Sequence, residues 1–206
     1  MNTTPRLMAL IVGMTLGVAC NAAHAQTAIG GASMVPPHSA TAVASLTDAE
    51  VSRQVYAYLS TIDTPIPSSA WGALGARAEP ILLAVFDDRN NLPSRRAKAV
   101  DGLAALGNAE TVGLFRATAL ADSEALVVRF AAVRGLGQVV APEQLPATIK
   151  PVLQSANDSR IRALAAVVLV RRAGVASCVD VRGQVQSETS DKSGQFERAL
   201  ALCAGH

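Results

Sequence analysis

Three arginines, Arg96, Arg129 and Arg162, recur at a spacing of 33 residues, and their side chains have the chemistry of anion recognition. A guanidinium presents five N–H donors in a rigid fork that matches a carboxylate or a phosphate. Each arginine is followed by alanine three positions later and by leucine seven positions later. On a helix these positions share one face, so the arginine can lay its methylene groups over the core and direct its guanidinium at a turn. A structural role is therefore the first interpretation, and direct ligand binding is the second.

Residues that commonly perform catalysis are sparse in this chain. The three histidines, His24, His38 and His206, lie outside the periodic segments, so none is placed as a general base in the folded region. The sequence contains no glycine-rich phosphate loop, no HExxH and no nucleophile elbow. Glu124 and Glu143 stand near predicted helix starts, where the helix dipole favours a carboxylate. We predict that the protein is not an enzyme and has no catalytic, cofactor-binding or metal site.

Two cysteines lie close to the C-terminus, at Cys178 and Cys203. If the chain is exported, as residues 1–25 indicate below, an even pair of cysteines predicts a disulfide. The bond would close a loop of about 25 residues and contribute about 3 kcal/mol to the free energy of unfolding. Two buried free thiols are the alternative. A zinc site of the usual kind needs further ligands, and His206 is the only histidine nearby.

Residues 1–25 have the pattern of a secretory signal peptide. A positive start precedes an apolar run over residues 7–19, and residues 23–25 form a cleavage motif of small side chains. The run is too short to anchor the chain across a bilayer. We predict an exported protein, periplasmic or secreted, with a lipoprotein anchored through Cys20 as the minority alternative. Residues 26–46 carry no charge and predict a flexible tail.

The rest of the chain has the composition and periodicity of packed helices. Hydrophobic residues make up 50% of the chain but aromatic residues only 3%, so alanine, leucine and valine must build the core. Thr47 and Glu50 form a capping-box pattern, and an apolar stripe from Val51 to Ile62 predicts the first helix. Two prolines within residues 63–69 end that helix.

Helices and turns then alternate regularly along the chain. We predict helices near residues 69–75, 80–87, 94–106, 109–121, 125–139, 143–156 and 160–173. Helical pairs that recur at 30 to 40 residues, each too small to bury its own apolar face, are typical of a stacked solenoid. Residues 184–195 are polar and predict a loop, and residues 196–202 predict a short helix that caps the last repeat.

Residues 70–174 resemble HEAT repeats of the short bacterial kind, which are related to the PBS-lyase HEAT-like repeats. The resemblance rests on the glycine-containing helix ends at residues 73–75, 105–107 and 135–137 and on the arginine that opens each second helix. It implies an all-α fold, an α-α superhelix of three to four helical hairpins over residues 47–174 with a cap over residues 175–206. It also implies a binding scaffold whose second helices line the concave face.

The resemblance extends to a structural role for the arginines. HEAT-like repeats commonly tie adjacent layers through an aspartate and an arginine, and an aspartate precedes each arginine here. The implied structural ladder comprises Arg96, Arg129, Arg162, Asp88, Asp122 and Asp158.

Charge is distributed unevenly between the helices of each predicted pair. Basic residues predominate in the second helices and acidic residues in the first. If the second helices line a concavity, its positive field favours an acidic protein partner or an anionic component of the envelope. The exposed partner-binding candidates are Arg95, Lys98, Arg134 and Arg171. The alternative is that these charges are ladder residues and solvated surface.

The sequence therefore predicts a noncatalytic protein-binding scaffold or adaptor of the cell envelope or periplasm. Nucleic acid is a poorer partner, because one tryptophan and two tyrosines supply few stacking platforms. Two alternatives stay open, a lyase-like or enzyme-accessory HEAT protein, as a few relatives of the resembled family are, and a purely structural envelope component.

Overall fold

The computed structural model describes residues 46–62 and 64–205. The predicted signal peptide, the lipoprotein alternative at Cys20, the predicted tail up to residue 45 and His206 lie outside these residues. Within them every regular element is an α-helix or a short 3-10 turn, and no strand occurs. The prediction of an all-α fold is confirmed. None of the helices in these ranges combines the length and the hydropathy that crossing a bilayer requires.

The regularity of the sequence reappears in the positions of the helices. In chain order they are α1 (Asp48–Ser60), α2 (Ser68–Gly72), α3 (Glu79–Asp87), α4 (Pro93–Leu106), α5 (Thr111–Leu120), α6 (Leu126–Val139), α7 (Leu145–Ser155), α8 (Ser159–Ala173), α9 (Cys178–Ser187), α10 (Ser190–Ser193) and α11 (Glu197–Ala204). Helices α4, α6 and α8 begin at the same 33-residue spacing as the arginines, so each arginine occupies the fourth residue of its helix.

The helices pack as three successive hairpins, α3 with α4, α5 with α6, and α7 with α8. Helix α4 also packs on α6, and α6 packs on α8, so the second helices form one continuous layer. The repeated small and branched residues fill the space between these helices. They are all fully buried, at Ala99, Ala132, Ala165, Leu103, Leu136 and Leu169.

Glycines allow helix α6 to approach its neighbours closely. A Cβ atom on Gly135 would lie 3.0 Å from the ring of Phe115 on α5, and one on Gly137 would lie 2.5 Å from a methyl group of Val168 on α8. Carbon atoms pack at about 3.5–4.0 Å, so a side chain at either position would push the helices apart. The close approach brings the outer surfaces of α6 and α8 into one face.

The first helix begins as its capping motif predicts. The Thr47 N–H donates to Glu50 Oε2 at 2.7 Å, and the Glu50 N–H donates to Thr47 Oγ1 at 3.3 Å. Val51 is fully buried beneath this turn. The assignment of Ile62 to the same apolar stripe is wrong, because α1 ends two residues earlier and leaves Ile62 83% exposed.

The C-terminal region is more helical than its polar sequence predicts. The predicted loop at 184–195 is wrong, because α9 extends through Ser187 and α10 occupies Ser190–Ser193. The predicted disulfide between Cys178 and Cys203 is present, with the two Cα atoms 5.8 Å apart. It joins α9 to α11, and Phe196, immediately before α11, is fully buried. The disulfide and the packing of α11 on α8 thus hold the C-terminal region in place, including the polar residues 188–195, which carry no apolar stripe.

Candidate partner-binding clefts and the buried arginines

Arg96 is held by two partners in the interior of the protein. Its Nε–H donates to the Phe86 carbonyl at 2.7 Å, and its two terminal nitrogens donate to the two oxygens of Glu124 at 2.7 Å each. The Arg96 and Glu124 side chains are only 4% and 2% exposed. Arg89 also forms a salt bridge with Glu124. This forked geometry satisfies both charges inside the protein and connects α4 to the turn before α6.

Arg129, one repeat later, makes the same contact to a backbone carbonyl as Arg96 but has a different carboxylate partner. Its Nε–H donates to the Ala119 carbonyl, ten residues before it as in Arg96, and Nη1 lies 3.1 Å from Asp122. The residue 33 positions after Glu124 is Asn157, which offers no carboxylate. Asn157 instead donates to Asp122. Arg129 Nη2 is left buried without a hydrogen-bond partner among the described residues.

Arg162 is held by a carboxylate from the C-terminal region. Its Nε donates to Glu188 Oε1 at 2.5 Å, Nη2 pairs with the second oxygen of Glu188, and Nη1 donates to the Ala156 carbonyl at 2.5 Å. Gln184 donates to the same carboxylate at 2.8 Å. The last arginine of the series therefore ties α8 to the end of α9.

Two of the three predicted ladder aspartates form other contacts. Asp122 pairs with Arg129 as predicted, but Asp88 accepts hydrogen bonds within its own turn from Asn90 and Asn91. Asp158 caps α8 and pairs with Arg160 at 2.6 Å. These two short carboxylates are occupied by backbone and side-chain donors of their own turns, which form locally. The pairs Asp88–Arg96 and Asp158–Arg162 are therefore corrected to local turn and cap contacts.

The carboxylates that sequence reasoning missed are Glu124 and Glu188. They lie 28 and 26 residues beyond the arginines that they bind. That spacing places the acid close to the start of the next element that packs on the arginine's helix. A glutamate a little less than one repeat after the arginine is therefore the sequence signal for its partner. Interpreting Glu124 as a first-turn charge equivalent to Glu143 was wrong, because Glu124 is buried and Glu143 is exposed.

The ionic contacts shift the pKa values of these carboxyl groups. Burial raises the pKa of Glu124, but hydrogen bonds from Arg96 and the Ala125 N–H, together with the Arg96 and Arg89 charges, outweigh burial and lower it. Hydrogen bonds from Arg162 lower the pKa of Glu188. A hydrogen bond from Arg160 lowers the pKa of Asp158 to about 2. Each of these groups favours the folded state when it is ionised.

Acidification is therefore expected to destabilise the protein in a defined range. A carboxyl group with a lowered pKa stabilises the folded state above its unfolded value, about 4.5 for glutamate, and loses that contribution as the pH falls through its folded value. We expect the free energy of unfolding to fall from about pH 4.5 towards pH 2. Urea titrations followed by circular dichroism across this range measure it. Stability that increases on acidification would contradict the assignment, and the E124A variant should show a shallower loss.

Three adjoining clefts follow the exposed face of the second helices. The first, between α4 and α6, measures about 510 Å³ and is lined by Thr64, Pro65, Ile66, Ser68, Trp71, Lys98, Asp101, Arg134 and Gln138. The second, between α6 and α8, measures about 340 Å³ and is lined by Arg134, Gly137, Gln138, Val168, Arg171 and Arg172. The third, which we call the cap cleft, measures about 450 Å³ and is lined by Phe130, Arg134, Arg160, Ala163, Leu164, Val167, Gln195 and Arg198. Arg134 lines all three, so the clefts adjoin one another around this side chain, and we refer to the three together as the groove.

Polar contacts organise the cleft between α4 and α6. Arg134 Nη2 lies 2.9 Å from both oxygens of Asp101, the residue one repeat before it. Lys98 donates to the Thr61 carbonyl and, at 2.9 Å, to Thr61 Oγ1. Burial raises the pKa of Asp101, although the charge of Arg134 acts to lower it. This end of the groove therefore presents charges of both signs.

Three of the four predicted partner-binding residues line this groove. They are Lys98, Arg134 and Arg171. Arg95 is half-buried on α4 and lines none of the three clefts. Sequence reasoning missed two residues of the groove, Phe130 and Arg198. Arg198 belongs to the cap and reaches the groove only because the C-terminal region packs on α8.

The charged residues at the other end of the groove are basic. Among the residues that the structure describes, five arginines and no acidic residue line the two clefts next to α8. Arg134 and Arg160 have salt-bridge partners in Asp101 and Asp158. Within residues 46–62 and 64–205, no group of three or more histidine, cysteine, aspartate and glutamate side chains lies close enough to hold a metal ion.

Comparison with known proteins gives no match: no family model, no curated protein and no solved structure aligns significantly with this chain.

Proposed function

We propose that the protein is a noncatalytic binding scaffold that holds a protein partner in the groove along α4, α6 and α8. The observation that carries this proposal is that the clefts adjoin one another. One arginine, Arg134, lines all three, so a single extended partner that lies over this side chain can contact residues of all three second helices. Solenoid proteins use such extended faces for binding.

The repeat contains constant positions that pack the core and variable positions that line the groove, and this difference supports the proposal. The alanine and leucine that recur in each second helix are buried, and they serve packing. The groove positions differ between copies: Asp101 in the first repeat corresponds to Arg134 in the second and to Val167 in the third. A partner can therefore recognise distinct chemistry in each repeat although the framework is shared.

The charge of the groove supports an acidic partner. Arg171 and Arg172 on α8 and Arg198 on α11 have no salt-bridge partner in the part of the chain that the structure describes. Unpaired guanidinium groups around a cleft raise the local concentration of anionic groups and favour carboxylates by forked hydrogen bonding.

We also propose that the fold is a HEAT-like superhelix and that the protein is exported. Three consecutive hairpins whose second helices begin 33 residues apart support the first proposal. The disulfide supports the second, because such bonds persist in oxidising compartments. Both proposals are consistent with a scaffold of the cell envelope.

Charge reversal in the groove is expected to abolish capture of the partner. The triple variant K98E/R134E/R171E should lose a protein that the immobilised wild type retains from an extract of the native cells, because like charges then face an acidic surface. Quantitative mass spectrometry of the retained proteins measures the loss. R95E is the matched control, since Arg95 belongs to α4 but lies outside the clefts. A partner retained equally by all three proteins would overturn the groove assignment.

A further inference from the structure

We propose that the cap cleft is the principal docking point in the groove and that it receives an acidic peptide segment which inserts one large apolar side chain. This inference rests on the proposed function and specifies the chemistry of the partner. It commits to a peptide in which a leucine-like or phenylalanine-like residue is flanked by aspartate or glutamate.

The apolar lining of the cap cleft comes from two helices. Phe130 on α6 and Leu164 on α8 are half-buried, and Val167 on α8 is buried. The cleft is open to solvent and measures about 450 Å³, which is room for one large apolar side chain. Half-buried side chains that converge on one cleft lose their remaining water contact when an apolar group covers them, and this burial favours binding.

The charged residues that line the same cleft are basic. Arg134, Arg160 and Arg198 come from α6, α8 and α11, and among the described residues no aspartate or glutamate lines the cleft. The side chains of Arg134 and Arg160 stay 49% and 57% exposed despite their salt bridges, so each keeps N–H donors free for a ligand. Apolar side chains that share a cleft with three guanidinium groups are complementary to an apolar residue flanked by carboxylates.

The C-terminal cap forms one wall of this cleft and fixes its width. Gln195 accepts a hydrogen bond from Ser159 Oγ at 2.8 Å, which attaches the cap to the start of α8. Arg198 follows on α11, which the disulfide joins to α9. The wall is therefore held in place before a ligand arrives, which reduces the entropy lost on binding.

Other occupants are less complementary to this cleft. Residues 26–46 of the chain itself carry no formal charge, so they would supply no carboxylate to Arg198 or to the free N–H donors of Arg134 and Arg160. The cleft between α4 and α6 is a poorer site for an acidic peptide, because Asp101 lines it. Within the described ranges, Phe130 is the only aromatic residue that lines the cap cleft, so stacked bases of a nucleic acid would find one platform.

The test uses a defined peptide and four forms of the full mature chain. The probe is a fluorescein-labelled dodecapeptide of alternating glutamate and serine with one central leucine, and its affinity is measured by fluorescence anisotropy. Two comparison peptides replace the central leucine by serine or all glutamates by lysine. The protein variants are R198E and L164S, with R95E as the matched control, because Arg95 lies on α4 and lines none of the three clefts. Thermal unfolding of each variant establishes that it is folded.

We expect the wild type to bind the leucine peptide and both cap-cleft variants to bind it at least about tenfold more weakly. R95E should remain within about twofold of the wild type, and both comparison peptides should bind weakly. Loss of binding in R95E but not in R198E would overturn the location. Equal binding of the serine peptide would overturn the insertion of an apolar side chain.

The proposed function can fail or survive independently of this inference. If the wild type binds none of the peptides but the triple charge reversal still removes a captured partner, the cap-cleft inference is wrong and the scaffold function stands. If the peptide binds at the cap cleft but no partner depends on the groove residues, the peptide chemistry stands and the scaffold function is wrong.

Discussion

Replacing Glu124 with alanine is expected to lower the free energy of unfolding by about 3–5 kcal/mol. The substitution removes the carboxylate that receives both terminal nitrogens of Arg96 and leaves that guanidinium buried without its counter-charge. An unpaired charge in the interior keeps its full desolvation cost. Chemical denaturation followed by circular dichroism at neutral pH measures the change.

The matched control for this prediction is E143A. Glu143 is also a glutamate near the start of a helix, but it is exposed, so its loss should change stability by no more than about 0.5 kcal/mol. Similar effects of the two substitutions would show that the Arg96–Glu124 pair does not stabilise the interface between α4 and α6. A double variant in which methionine replaces Arg96 and leucine replaces Glu124 should recover much of the loss, because two apolar residues need no partners.

Replacing Cys178 and Cys203 together by serine is expected to cost about 3 kcal/mol of stability. The bond closes a loop with a sequence separation of 25 residues, and without it the unfolded chain gains conformational entropy. The loss should be concentrated in the C-terminal region, because α9 and α11 are the helices that the bond joins.

Hydrogen exchange distinguishes a local effect from a global one. In the double serine variant, amides in α9 and α11 should exchange faster than the fall in global stability alone explains. Amides in α4 and α6 should accelerate only by the amount that this fall explains. Uniform acceleration through all helices would contradict the prediction that the cap opens first. Reduction of the wild type with a thiol is the matched control, since it breaks the same bond without changing either residue.

The sequence was most informative where a pattern repeats. The predicted starts of the second helices, at residues 94, 125 and 160, lie within one residue of the observed starts at Pro93, Leu126 and Ser159. Local signals determine those boundaries: an apolar period of 3.6 residues, and turn residues between helices. The buried alanines and leucines were predictable for the same reason, since the stripe that faces the core is set by the spacing along one helix.

The sequence was least informative where contacts join distant residues. Glu124 and Glu188 are ordinary glutamates in the sequence, and only the stacking of successive layers brings them to Arg96 and Arg162. The aspartates that lie nearer in sequence are occupied by their own turns. Helix α9 was missed although Cys178, Val181 and Val185 recur at helical spacing and pack in or against the core, because its polar C-terminal half was interpreted as a loop. Helix α10 was missed because residues 190–193 are polar and carry no apolar stripe.

The residues that line the clefts were likewise predictable where a local pattern places them and not where distant contacts do. Lys98, Arg134 and Arg171 could be chosen from the charge asymmetry of the second helices, since one face of each helix was predictable. The position of Arg198 in the cap cleft could not be predicted, because it depends on how the cap packs against α8. Arg95 shows the limit of charge counting, since it lies on a basic helix but not on the groove.

Site-specific photocrosslinking tests the scaffold function most directly. A photoreactive residue at Gln138, which is exposed and lines two of the clefts, should join the protein covalently to its partner in native cells, and the same residue at Ala117 on α5 should not. We expect a crosslinked species from Gln138 that disappears when Arg134 and Arg171 are changed to glutamate. A partner crosslinked from Ala117 and not from Gln138 would overturn the assignment of the groove as the binding surface.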